Sequence, residues 1–401
     1  RPQPPKQYRS VASGDWSSIS TWEQSRTNGV SWEAATTTPT STDGLVTIQS
    51  AHTVTLTAAG MASSLVVNGT LDLGVNTLTG SGSGSLSISN TGTLKIGGPS
   101  NIPSGYLAVT LNATSTVEYY YYGNQTVYEI NYGNLILSGS GTKTLTNVGA
   151  IAVNVLTVGL GTNLLLNGAN ALTPVSASVN GTFTVSNTAS LVKGTGTLSF
   201  NSGSAYNHNR AGGAIPTSTW NLTSTCIISG AATTAPTGLT QSFGNFTWDS
   251  GQTGDISLAG ALTSINGNLS ILNTGSFSLR LLNGGGPVAV SVGGSYIQTG
   301  GIFYVCGTSS AATLVLNVSG GFSLSSGTFN MNGQTATSTV NIGGNFTMSG
   351  GTFTETNTGV SNFNFNGTST QTYIKTGGTF VNTINFGVGA TSTVDFGTYL
   401  L

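Results

Sequence analysis

The chain has 401 residues, a formal net charge of −1 and only 5% charged residues, against about 25% in an average soluble domain. The near-neutral balance and scattered basic residues give no electrostatic basis for binding nucleic acid or an anionic membrane surface. No apolar run approaches the roughly 20 residues of a membrane span, and Gly, Ser and Thr break every stretch of helical periodicity.

Residues 1–44 open with RPQPPKQY, which reads as a mature end left after removal of a targeting segment. They also carry three of the five tryptophans, Trp16, Trp22 and Trp32, with Asp15, Glu23, Glu33 and Asp43. A stack of coils needs its end covered, because a bare terminal strand offers unpaired backbone groups. The three indoles are expected to form that cap, buried near Val46, Ile48 and Val54.

Residues 45–205 are read as a first solenoid block. Short alternating runs recur there, among them LVTI (45–48), VTL (54–56), LDL (71–73), LSI (86–88) and LKI (94–96). Each is bounded by Gly-Thr, Asn-Gly, Ser-Gly or Asn-Thr, which supply turns. Alternation sends one side chain inward and the next, usually Thr or Ser, outward. Residues 206–248 break the pattern with YNHNR (206–210), GGAIP (212–216), Trp220 and Trp248. This stretch is expected to be a wide coil, a lateral insertion or a boundary.

Residues 249–401 hold the clearest repeat. VGGSYIQTGGIF (292–303), VSGGFSLSSGTF (318–329) and IGGNFTMSGGTF (342–353) match, with a weaker copy, INGNLSILNTGSF, at 265–277. The leading residues Ile265, Val292, Val318 and Ile342 are separated by 27, 26 and 24 positions. A period of this size predicts a right-handed parallel β-helix, a rod of triangular coils that bury their apolar faces only by stacking. Phe303, Phe329 and Phe353 are expected to stack in line, as are Tyr296, Phe322 and Phe346. The closing TSTVDFGTYLL (391–401) stops in mid-pattern. The backbone groups of 394–400 are therefore expected to be satisfied by more chain, a partner or another subunit. Cys226 and Cys306 lie about three coils apart, on the order of 14 Å at about 4.8 Å per coil. That exceeds the roughly 7 Å a disulfide tolerates, so two free buried thiols are expected.

Chemistry-bearing residues are sparse. Asp249 and Asp255 beside Trp248 are the one close acid pair of the body, a spacing considered for a glycosidase-like site and read chiefly as two acids in turns. His208, Arg210 and His52 have no acidic neighbours to complete a metal site. No phosphate loop, nucleophile elbow or HExxH is present. No catalytic residue, cofactor or metal ligand is assigned, and the chain is expected not to be an enzyme. The most unusual local feature is Tyr119-Tyr120-Tyr121-Tyr122 after Glu118. Alternation places Tyr119 and Tyr121 on one face and Tyr120 and Tyr122 on the other. These four tyrosines and Trp248 are the candidate contacts for a ligand or partner.

Several segments resemble a known group. SVASGDWSSISTW (10–22), VTIQSAHTVTL (46–56), STVEYYYYGNQTVYEINYGNLILSGSGTKTL (115–145), GSAYNHNRAGGAIPTSTW (203–220), TQSFGNFTW (240–248) and FNFNGTSTQTY (363–373) are similar to blocks of large secreted or cell-surface proteins of Bacteroidota. The resemblance implies a β-solenoid body, an extracellular location and export through the type IX secretion machinery. That route usually uses a C-terminal sorting domain, absent from these residues and expected to be cleaved or to lie beyond position 401. The function expected is a structural or adhesive one, a stalk or adhesin segment acting by many weak contacts with surface glycans. A self-assembling filament or sheath subunit joined through coil ends is the alternative, and a carbohydrate-binding or carbohydrate-active β-helix a further one.

Overall fold

The computed structural model describes residues 4–99, 102–146, 148–307, 312–333, 335–356 and 361–399. Among them the regular elements are short strands and a single turn of 3-10 helix at Ile19–Thr21. No described helix is long and apolar enough to cross a membrane. Strands of successive coils pair in parallel, so the fold is a β-solenoid. The chain divides into two compact units, residues 4–184 with 188–198, and residues 185–187 with 199–399.

In the first unit one sheet stacks Gln7–Ser10, Leu45–Ile48, Ser64–Val67, Ser85–Ile88 and Ala108–Leu111. A second stacks Gly14–Asp15, Thr53–Thr55, Thr70–Asp72, Thr93–Ile96, Thr116–Tyr119, Tyr132–Leu137, Ile151–Val158 and Ala171–Val179. Val46, Leu65, Leu86 and Val109 are aligned, each one coil after the last. The first three are fully buried. Their strand neighbours Thr47, Val66 and Ser87 are half-buried on the outer face, as the alternating side-chain period of a strand requires.

The cap departs from the parallel pattern. Trp22–Ser25 pairs antiparallel with Gln7–Ser10, and Glu33–Ala34 pairs antiparallel with Trp22–Ser25. A very short strand bearing a carboxylate thus forms that sheet edge, which discourages further pairing. Trp16 and Trp22 are buried edge-to-face, 5.1 Å between ring centroids, and the Trp22 indole donates to Trp16 O at 2.9 Å. Trp32 does not join them. It is half-buried, with the Arg9 guanidinium 4.3 Å from its ring centre. The cap is therefore built from two tryptophans and Tyr8, not three tryptophans.

From residue 256 to 388 the second unit stacks in three sheets, and each complete coil there contributes one strand to each. The sequence repeat is the coil register: Ile265 is aligned with Val292, Val292 with Val318 and Val318 with Ile342. Tyr296, Phe322, Phe346 and Tyr373 form one internal column, with near-parallel rings 5.0, 5.3 and 5.0 Å apart. Phe303, Phe329 and Phe353 form a second, at 5.8 and 5.0 Å. The corner joining these columns needs a left-handed backbone in every coil. Gly301, Gly327, Gly351 and Gly378 occupy it with φ of 68°, 83°, 75° and 75°, a conformation that costs a side-chain-bearing residue about 1–2 kcal/mol.

Residues 206–248 form no insertion and no wide coil. Ala205–Asn209, Thr225–Ile228 and Asn245–Asp249 stack in parallel, with Tyr206, Cys226 and Phe246 aligned on successive short coils. The shortness of those coils and their mixed column (Tyr, Cys, Phe) hid the repeat. The two compact units divide near residue 198, a few residues before this stretch. Cys226 and Cys306 are buried and free.

Candidate functional site

The tyrosine run lies at the end of Thr116–Tyr119, in the second sheet of the first unit. The strand alternates as expected up to Tyr119, then turns, and the four rings take four environments. Tyr119 is fully buried: its hydroxyl accepts from Tyr128 N at 3.1 Å and pairs with the Tyr132 hydroxyl at 3.3 Å. Burial pushes that phenol up to about 12. Tyr121 is half-buried, and Tyr122 is 81% exposed. Tyr119 is thus a core residue and no ligand contact. Trp248 is likewise fully buried, its indole N–H given to Gln252 Oε1 at 2.9 Å. A long apolar ring at an inward strand position is held by the core.

Tyr120 instead runs across the outside. Asp72, Lys95 and Glu118 are aligned on successive coils. The Lys95 ammonium lies 3.3 Å from Glu118 Oε2 and 5.0 Å from the centre of the Tyr120 ring. The Tyr120 hydroxyl donates to Asp72 Oδ1 at 2.7 Å, and Ser138 Oγ donates to Glu118 Oε1 at 2.8 Å. The ring passes over Gly97, where an added Cβ would collide with it. Desolvation, then the bond to the Asp72 carboxylate, raises the Tyr120 phenol, so it is a hydrogen-bond donor at neutral pH.

The loop carrying Tyr121 and Tyr122 is fastened from inside. Gln125 Nε2 donates to Ile96 O at 3.1 Å and Gly98 O at 2.6 Å. Lys143, fully buried, donates from Nζ to Tyr121 O at 2.6 Å and Gly123 O at 3.0 Å. Desolvation lowers its ammonium to about 8. An exposed ring, Tyr122, thus follows two residues after a ring pinned over an acid–base–acid column.

Other chemistry-bearing residues are committed elsewhere. Asp255 accepts from Ser278 N and Oγ at 2.8 and 2.9 Å and ion-pairs with Arg280. The Ser278 backbone bond leads the causes that hold its carboxyl below the usual range. A general acid needs the opposite shift. His208 is buried between the Tyr206 hydroxyl (3.1 Å) and Gly212 O (2.7 Å), and burial lowers its pKa. Among the described residues no three of His, Cys, Asp and Glu gather as a metal site.

Sequence reasoning singled out the tyrosines but missed Asp72 and Lys95. The signal was present, because positions 72, 95 and 118 are evenly spaced, one coil apart. It also missed a groove of about 500 Å³ beside the cap, lined by Arg9, Trp32, Thr47, Gln49, Asn68 and Thr91. No protein-family model, curated protein or solved structure matches this chain.

Proposed function

We propose that this protein is an extracellular structural and adhesive β-solenoid, a stalk or adhesin segment of a bacterial surface, whose Tyr120–Tyr122 patch engages glycans. One observation carries the reading: Tyr122 stands 81% exposed two residues after Tyr120, which Asp72 and Lys95 anchor. An exposed ring offers a stacking face to the C–H side of a sugar, and the flanking charged groups offer hydrogen bonds to its hydroxyls. Each such contact is weak, and copies held together on a surface add through effective concentration. The resemblance of 10–22, 46–56 and 115–145 to Bacteroidota surface proteins supports export by the type IX route. Asp255 lies in an ion pair and His208 in the core, which supports a role without catalysis.

The test is binding of the full chain to a panel of defined oligosaccharides. Tyr122→Ala is expected to weaken binding at least about tenfold with an unchanged melting temperature, and no glycan should be cleaved. An empty panel, or full binding retained by Tyr122→Ala and Tyr120→Ala, overturns the reading. Loss in Trp32→Ala alone would move the contact to the cap groove and overturn the tyrosine assignment.

A further inference from the structure

The groove beside the cap is lined by a cation that two neighbours orient and leave half satisfied. Arg9 Nε donates to Glu23 Oε1 at 2.5 Å, and the guanidinium lies over the Trp32 ring, 4.3 Å from its centre. Trp32 is itself held, its indole N–H given to Gly29 O at 3.1 Å. Among the described residues, Nη1 and Nη2 of Arg9 have no hydrogen-bond partner. A guanidinium is a planar fork whose terminal edge matches the two oxygens of a carboxylate. Glu23 takes Nε, Trp32 fixes the plane, and the terminal edge stays open.

The other polar groups of the groove are neutral, and the coil register sets their spacing. Thr47 is aligned with Arg9, one coil on. Gln49 and Asn68 lie just past the aligned strand ends Ile48 and Val67, on successive coils. Gln49 Nε2 donates to Ser10 O at 2.8 Å, which fixes that amide and leaves Oε1 as an open acceptor. The Asn68 side-chain amide has no partner among the described residues, so it offers both a donor and an acceptor. Thr91, one coil further, donates its hydroxyl to Asn68 O at 3.0 Å. The groove thus follows the outside of four successive coils, on the order of 14 Å at about 4.8 Å per coil. Among the described residues, no Asp or Glu lines it.

We propose that this groove binds an acidic saccharide, with the carboxylate of a hexuronate on the Arg9 fork and its hydroxyls on Thr47, Gln49 and Asn68. The charge is specified by Arg9, because a charge-assisted pair with two parallel bonds is stronger than any contact a neutral hydroxyl makes there. The polyol is specified by the rest of the lining, which mixes hydroxyl and amide donors and acceptors. A peptide is disfavoured, since strand addition needs an open sheet edge. Here Leu45–Ile48, beneath the groove, is already paired on both sides, with Gln7–Ser10 and Ser64–Val67. Trp32 acts on the ligand through Arg9 and is a positioning residue. The site shares no residue with the Tyr120–Tyr122 patch and stands or falls independently of it.

The experiment titrates the full chain by calorimetry with trigalacturonate, its methyl ester and triglutamate. The native chain is expected to bind the acid at least about tenfold more tightly than the ester, the worth of a hydrogen bond to a charged group. That advantage should disappear in Arg9→Gln and persist in Tyr122→Ala, which separates this site from the tyrosine patch. No binding of trigalacturonate, equal binding of acid and ester, or an advantage that survives Arg9→Gln or is lost in Tyr122→Ala overturns the proposal. Triglutamate bound as tightly as trigalacturonate overturns the saccharide assignment. If Arg9→Gln does not fold, Asn68→Asp decides, because it leaves the Arg9–Glu23 pair intact and sets a carboxylate in the groove. It should weaken binding of the acid at least about fivefold through like-charge repulsion, and an unchanged or tighter affinity overturns the site.

Discussion

The coils of 45–111 and those of 288–388 solve the same packing problem with different side chains. In the first, short coils step from Val46 to Leu65 to Leu86, and from Ile48 to Val67 to Ile88, and these aliphatic residues fill them. In the second, longer coils step from Tyr296 to Phe322, Phe346 and Tyr373, and rings fill them. A longer coil encloses a wider cross-section, which must still be packed to the density of a protein interior. Aromatic rings supply that volume. The short coils at 206–248 show the limit, since their rings alternate with smaller residues: Tyr206, Cys226, Phe246 in one column, and Trp248 between Ile228 and Ile271 in the next.

The largest expected effect tests this relation directly. Phe322→Ala should cost about 3–5 kcal/mol, because the ring touches Tyr296, Phe329, Phe346 and Phe363 at centroid distances near 5 Å. Leu65→Ala should cost less, about 2–4 kcal/mol, since a narrower coil relaxes around a smaller void. Chemical denaturation, monitored by hydrogen exchange within each unit, gives both values. A leucine loss equal to or above the phenylalanine loss breaks the link between coil length and ring packing.

A smaller effect concerns corners. Gly327→Ala places a Cβ 2.3 Å from Gly301 O at φ 83° and should cost about 2 kcal/mol or more. Gly149→Ala in the first unit meets nothing within 4 Å and should change stability by less than about 0.5 kcal/mol. Equal losses at the two sites would show that the repeated glycine corner is not a constraint.

The smallest effect is a difference in pH response. His208 of the second unit has a folded pKa below its usual 6.5, through desolvation. Its unfolded state therefore binds more protons below about 6.5, and stability falls as pH drops from there towards the folded pKa. Lys143 of the first unit is lowered from 10.5 to about 8. The unfolded state again holds more protons between those values, so that unit gains stability as pH rises from about 8 to 10.5. His208→Phe should flatten the acid slope of the second unit, and Lys143→Met the alkaline slope of the first. Slopes unaltered by either change would remove these groups as the cause.

Sequence alone determined the β-solenoid, because the repeat running through 265–353 and the strict alternation of inward and outward side chains leave stacked coils as the way to bury the apolar face. It also determined the aromatic columns, since equal positions of a repeat must lie over one another. Two unpaired thiols followed as well, since Cys226 and Cys306 sit several coils apart. The identity of the outer patch needed tertiary structure. Tyr119 and Tyr120 are adjacent in sequence, yet one is core and the other reaches over Gly97 to Asp72, two coils away. Trp248 and Trp32 exchanged expected roles for the same reason: the indole's fate depends on whether its coil faces a neighbouring column or the cap groove.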